Sequence, residues 1–296
     1  MRVGICIPIG ERMPERHAHP FLTMRDLAKL TDDSGLDSIW VADHLFFLNE
    51  NGEARGAWES MSILAALAEA TTRVELGPLV LCGPFRNAGM TAWAANTIDE
   101  ISGGRFVLGL GAGWSEDEFR AFDFQFDNKV SLFSDQLEVI VPLLREGRVD
   151  YDGKWAKGSA ELRPPGPRPN GPPIMIACSQ PRMMALTARW ADRWNSVWYG
   201  LPTDEFRAER ALLVAACENA GRDPSEIEVT VGIAVADPAT TPENGPESVR
   251  GTEEAIAEAL DTWRVEGVAE VMCRLEPPSM GAIETIARAV ERIRNT

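Results

Sequence analysis

Short apolar runs alternate with amphipathic stretches along the whole chain. Near-continuous hydrophobic segments at Val3–Pro8, Ser38–Val41, Val74–Leu81, Phe106–Leu110, Ile174–Cys178, Arg193–Val197, Glu228–Ile233 and Ala269–Arg274 read as strands. Runs of this kind suit a parallel sheet covered by helices. Between them apolar residues recur at helical spacing, as at Met24, Leu27, Ala28 and Thr31, at Met61, Leu64, Ala65 and Ala68, and at Ile283, Ile286, Ala287 and Val290. Gly35 and Gly221 read as helix stops. Eight strands, each followed by a helix, predict an α/β fold of the closed (β/α)8 TIM barrel type, one domain over residues 1–296. An open doubly wound sheet is the competing arrangement and needs no count of eight.

One segment breaks the rhythm. Residues 148–173 are rich in Gly and Pro and carry a hairpin signal at Asp152-Gly153. They read as an insertion between the fourth helix and the fifth strand, expected over the barrel top, either as a lid or as a solvated connection. The polar, proline-bearing stretch Asp237–Arg250 is expected to be mobile.

Composition narrows the function classes. The 296 residues include 29 Lys and Arg against 45 Asp and Glu, a net charge of -16. That argues against nucleic acid or an anionic membrane as partner and leaves a small-molecule substrate. An anionic cofactor remains compatible, given a locally positive pocket. The five cysteines are odd in number and form no CxxC, so neither a disulfide framework nor a zinc site is indicated. Met1 leads directly into strand-like VGICIPI, and no apolar run reaches membrane-spanning length. A cytoplasmic protein without a metal is the simple expectation.

Barrel enzymes carry their chemistry at the C-terminal ends of the strands. That rule selects Asp43-His44 after the second strand, Cys82 to Asn87 with Arg86 after the third, and Gly111, Ala112, Gly113 and Trp114 after the fourth. Ser179, Gln180 and Arg182 follow the fifth strand, Trp198 and Tyr199 the sixth, Arg274 and Glu276 the eighth. His44 is the best proton-transfer candidate, since histidine titrates near neutral pH. Asp43 is expected to orient it or raise its pKa; a plain hydrogen-bonded loop histidine is the alternative. His17 and His19 lie in a long loop and are expected to be solvated. The turn LGLGAG is not a GxGxxG fingerprint, and no GxxxxGK[ST] occurs. It serves either as a ligand wall or as tight packing. Ser179-Gln180 opens a helix and suits a phosphate or an ordinary cap. Trp114 and Trp198 are placed to stack on a flat ring. Arg105 falls at the N-terminal end of its strand and reads as a structural ion-pair residue.

The segments SIWVADHLF (38–46), VELGPLVLCGPFRN (74–87), NTIDEISGGRFVLGLGAGWSEDEFRAF (96–122) and PPIMIACSQPRMMALTARWADRWN (172–195) carry a family likeness. In that ordered set the chain resembles the luciferase-like monooxygenase superfamily, (β/α)8 barrels that use FMN or the 5-deazaflavin coenzyme F420. The resemblance implies that His44 is the active-site histidine beside the ring. It implies a non-prolyl cis peptide at Leu79-Val80 pressing on the central ring, and a ring and side-chain wall at Gly111, Ala112, Gly113 and Trp114. The cofactor phosphate would meet backbone N–H groups of Cys178, Ser179 and Gln180.

Some positions depart from the family pattern. Bacterial luciferase has a phosphate-binding arginine where Ala112 stands, and many relatives have Gly-Gly at Ala177-Cys178 and Gly at Arg193. A common arginine is here Lys129. The sugar-phosphate dehydrogenases of the family have an acidic residue near Trp114 and a tryptophan near Leu48, which argues against that substrate. The missing phosphate arginine tilts the resemblance toward F420. It implies an oxidoreductase moving a hydride between deazaflavin C5 and a small organic substrate. An FMN-dependent monooxygenase and a non-catalytic cofactor-binding barrel are the alternatives. Relatives often form dimers, so a homodimer is expected.

Overall fold

The computed structural model describes residues 1–12, 17–48 and 51–295. Its main sheet is parallel and wraps into a nearly closed barrel. In chain order the barrel strands are Arg2–Ile7, Ser38–Val41, Glu75–Pro78 with Leu81–Cys82, Leu108–Gly111, Ile174–Ala177, Arg193–Tyr199, Glu228–Ala236 and Glu270–Glu276. Each pairs with its sequence neighbours, and the last pairs with the first through Val3 opposite Val271. The third strand has two arms. Its first arm pairs with the second strand, its second arm with the fourth. Between them lies the cis peptide Leu79-Val80. The apolar pattern reads Val74–Leu81 as one strand, and the non-prolyl cis peptide that the family resemblance implies at Leu79-Val80 divides it.

The helices cover the barrel with the faces that the periodicity selects. Met24, Leu27, Ala28 and Thr31 are all buried in helix Phe21–Asp33. Helix Asp204–Ala220 ends at Gly221, whose φ of 67° is the left-handed cap that glycine adopts without strain. A short helix, Glu116–Ala121, follows the fourth strand before the long helix Lys129–Glu146.

The N-terminal end of the barrel is plugged by charge. Arg193 donates to both oxygens of Glu75 at 2.9 Å and lies 3.4 Å from Glu270. Arg2 pairs with Glu228 and Glu270. Glu270 is fully buried and accepts from Ser38 Oγ at 2.5 Å and Trp40 Nε1 at 3.0 Å. Burial pushes its pKa up, against the hydrogen bond from Ser38 and the two arginines, which pull it down. Arg193 therefore serves the barrel bottom. Arg105 is structural as expected, but not through an ion pair: its guanidinium donates to the carbonyls of Ala68, Thr71, Val74 and Ser102 and to Thr71 Oγ1.

In residues 148–173, Arg148–Asp152 and Lys157–Glu161 form the hairpin. It stands against the flank of helix Lys129–Glu146, where Asp135 accepts from Trp155 N at 2.7 Å and Tyr151 OH at 3.1 Å. The return stretch reaches the barrel bottom, where Arg168 binds Asp99 through both carboxylate oxygens and donates to Phe106 O. The stretch after the seventh strand is tied by Gly200 N to Pro246 O and Leu201 N to Gly245 O, both at the end of the sixth strand. No helix among the described residues is long and apolar enough to cross a membrane.

Candidate active site

The barrel interior closes above the charged plug with Trp40, Val107, Met175 and Met272, all buried. Cys6, Leu79 and Val80 pack on that layer and are only partly buried. They form the floor of the mouth at the C-terminal ends of the strands. The glycine turn of the fourth strand is shaped by this floor. A Cβ on Gly109 would fall on Pro78 O, and one on Gly111 would lie 2.9 Å from Val80 Cγ2. Gly113, at φ 78°, leaves room for Cys82 and Phe119, which a Cβ would approach to 2.6 and 2.8 Å. The glycines thus admit the Leu79-Val80 segment; Ala112 is buried beside them, and Trp114 stands out, 69% exposed. A second non-prolyl cis peptide, Val197-Trp198, lies across the mouth, with Arg274 4.5 Å over the Trp198 ring. Tyr199 instead turns outward and is buried against helix Asp204–Ala220.

His44 leaves the second strand into this mouth. Its side chain is 16% exposed and packs on Phe47 at 4.1 Å and edge-on to Trp114 at 5.5 Å between ring centroids. Nδ1 lies 2.8 Å from Glu118 Oε2. Glu118 Oε1 accepts the backbone N–H of Leu45 at 2.6 Å and that of Phe46 at 3.4 Å. The Glu118 side chain is nearly fully buried. Burial alone raises its pKa, but the hydrogen bonds from His44, Leu45 and Phe46 outweigh it and hold the carboxyl below the usual glutamate range. An ionised carboxylate only accepts, so Nδ1 carries the proton and Nε2 is the ring nitrogen left for chemistry.

Asp43 does not have the expected role. Its carboxylate accepts from Arg86 at 2.6 and 2.8 Å, from Ser60 Oγ at 2.7 Å and from Cys82 N at 2.8 Å. That engagement ties the second strand to the third and leaves the orientation of His44 to Glu118. Glu118 is the residue at this site that the sequence reading passed over. In Glu116, Asp117 and Glu118 it looks like one of three acids at a helix start. Its one distinguishing signal is the neighbouring apolar Phe119, which together with Glu118 forms the buried side of the turn.

Ser179 and Gln180 lie exposed ahead of helix Pro181–Trp190, and among the described residues their amides have no partner. Arg182 donates to Ser131 Oγ at 2.9 Å and has no carboxylate partner among the described residues. This donor set fits an anionic group such as a cofactor phosphate. Cys178 differs from expectation: its N–H is given to Asn195 O at 3.3 Å, so only Ser179 and Gln180 keep amides for an anion. Its thiol sits 3.3 Å from Thr187 Oγ1, and burial pushes it up to about 11. His17 is exposed in a short pairing with Glu11–Arg12, and the His19 carbonyl accepts from Trp58 Nε1 at 3.1 Å.

Comparison with known proteins places these features in context. A family model described as luciferase-like monooxygenase matches residues 1–244. A 5,10-methylenetetrahydromethanopterin reductase of Methanolobus tindarius is 28% identical over 211 residues, which take in 71% of this chain and 60% of that relative. The match thus spans less than two thirds of the relative's length. Among solved structures, a coenzyme F420-dependent tetrahydromethanopterin reductase from Methanopyrus kandleri superposes with a TM-score of 0.79 at 19% identity, covering 99% of this chain and 100% of that one. An F420-dependent secondary alcohol dehydrogenase in complex with an F420-acetone adduct superposes with a TM-score of 0.82 at 15% identity, covering 99% of each chain.

Proposed function

Because the chain belongs to the luciferase-like monooxygenase family, we propose that it is an F420-dependent oxidoreductase acting on a small organic substrate, with His44 moving the proton. The observation that carries this reading is the His44–Glu118 pair at the barrel mouth. When bound, F420 would supply a hydride donor or acceptor at its C5 carbon.

The chain's own residues supply the rest. Leu79 and Val80 offer an apolar floor for a planar ring, and Gly111 to Trp114 border it. Ser179, Gln180 and Arg182 offer donors for the phosphate. Glu118 holds the imidazole so that Nε2 accepts or gives the proton that accompanies hydride transfer. Phe47 and Trp114 keep water from the imidazole flanks. F420 is favoured over FMN because Ala112 stands where bacterial luciferase has its phosphate arginine, and because sequence relatives of the chain are methylenetetrahydromethanopterin reductases while a tetrahydromethanopterin reductase of known structure is F420-dependent. Titration of the purified protein with F420 and with FMN tests the reading, and preferential binding of F420 is the expected outcome.

A further inference from the structure

The hairpin of Phe46–Leu48 and Ala54–Gly56, in the loop after the second strand, places Arg55 directly opposite Phe47. Directly opposed residues of an antiparallel pair project from the same face. The Arg55 guanidinium carbon lies 4.9 Å over the Phe47 ring, and that ring lies 4.1 Å from the His44 imidazole. Arg55 is half-buried, yet among the described residues it has neither a carboxylate partner nor a hydrogen-bond acceptor. Glu11, on the neighbouring strand, accepts from Gly56 N instead. Other arginines withdrawn from solvent have acceptors: Arg86, Arg168 and Arg193 each pair with a carboxylate, and Arg105 donates to four carbonyls. In a chain of net charge -16, a half-buried cation beside the reaction site whose one partner among the described residues is an aromatic ring calls for an anion. The ring contact uses none of the guanidinium N–H groups, which remain available for bidentate binding.

We propose that Arg55 anchors an oxyanion, carboxylate or phosphate, of the substrate that reacts at His44. The apolar part of that substrate lies along Phe47 and Trp114, the two rings that flank the imidazole. The proposal deepens the functional reading above, because it takes the mouth at His44 as the reaction site. It makes Arg55 a specificity-determining residue, with no part in the proton transfer.

The test is saturation-transfer NMR on the protein with F420 present, using benzoate, phenyl phosphate and benzyl alcohol as probes. The wild type is expected to bind at least one oxyanion probe about 10- to 100-fold more tightly than Arg55→Met does, the range for a charge-assisted bidentate contact. Arg55→Lys should recover part of the loss, and benzyl alcohol should bind wild type and variant alike, which also shows the variant folded. Preference for benzoate assigns a carboxylate, and preference for phenyl phosphate assigns a phosphate. Equal binding of alcohol and oxyanion by the wild type, no oxyanion binding at all, or undiminished oxyanion binding by Arg55→Met would each overturn the proposal. F420 binding is read separately in the same samples. Loss of F420 binding with intact oxyanion selectivity would remove the cofactor assignment and leave the anchor standing.

Discussion

Replacing Glu118 by Gln removes one charge while conserving shape, at a position that is nearly fully buried. In the wild type the carboxylate accepts from His44 Nδ1 at 2.8 Å and from Leu45 N at 2.6 Å. A glutamine has one acceptor oxygen. If that oxygen keeps the Leu45 amide, the NH2 group faces Nδ1 and donates to it, which drives the imidazole to the Nε2–H tautomer. A charge-assisted bond is worth about 1.5–3 kcal/mol and a neutral one about 1, so the net loss should be roughly 1–2 kcal/mol. At about 2–4 °C per kcal/mol for a chain somewhat smaller than this one, the melting temperature should fall by roughly 2–8 °C. The pH dependence has a defined sign. Glu118 has a lowered pKa in the folded chain, so its contribution is fully present above the ordinary glutamate value near ~4.3. It is lost as pH falls through the lowered folded value, and Glu118→Gln should lose less stability over that acid range. The tautomer can be read from nitrogen-15 shifts, and only three histidines need assignment. The wild type should show Nδ1 protonated and Nε2 bare in neutral His44. An unchanged tautomer together with an unchanged melting temperature in Glu118→Gln would refute the pairing.

Two further substitutions separate the jobs of the other buried charges. Asp43→Ala leaves Arg86 with Glu59 as its remaining carboxylate partner and takes the acceptor from Cys82 N and Ser60 Oγ, so it should cost about 1–3 kcal/mol in urea unfolding, while the His44 tautomer stays that of the wild type; a tautomer change would restore Asp43 as the orienting group. Arg193→Met strips Glu75 and buried Glu270 of a shared cation and should destabilise the chain by about 3–5 kcal/mol, without altering F420 affinity. A selective loss of F420 binding in that variant would move Arg193 from the barrel bottom to the cofactor site.

Local pattern carried the architecture further than the chemistry. The eight apolar runs were legible because strands covered on both faces are mostly apolar, with polar exceptions such as Ser38, Glu75, Arg193 and Glu270 gathered in the plug at the barrel bottom, and all eight correspond to barrel strands. The helix faces were legible for the same reason: burial follows the 3.6-residue period at Met24, Leu27, Ala28 and Thr31. The end-of-strand rule placed His44, the glycine turn and Ser179-Gln180 on one face of the barrel. Partner choice was not legible. Glu118 and His44 are 74 residues apart and meet only because non-adjacent loops converge at the mouth. Asp43, next to His44 in sequence, is drawn away by Arg86, which lies 43 residues further on. The amide of Cys178 was expected to face a phosphate, but the register with the sixth strand gives it to Asn195. In each case a contact distant in sequence decides what a promising neighbour in sequence does.

The central claim, that this barrel works with F420, is tested most directly by equilibrium titration of the purified protein with F420 and with FMN side by side. The account predicts saturable binding of F420 at one site per chain, with FMN at least tenfold weaker. Tight FMN binding without F420 binding would contradict it.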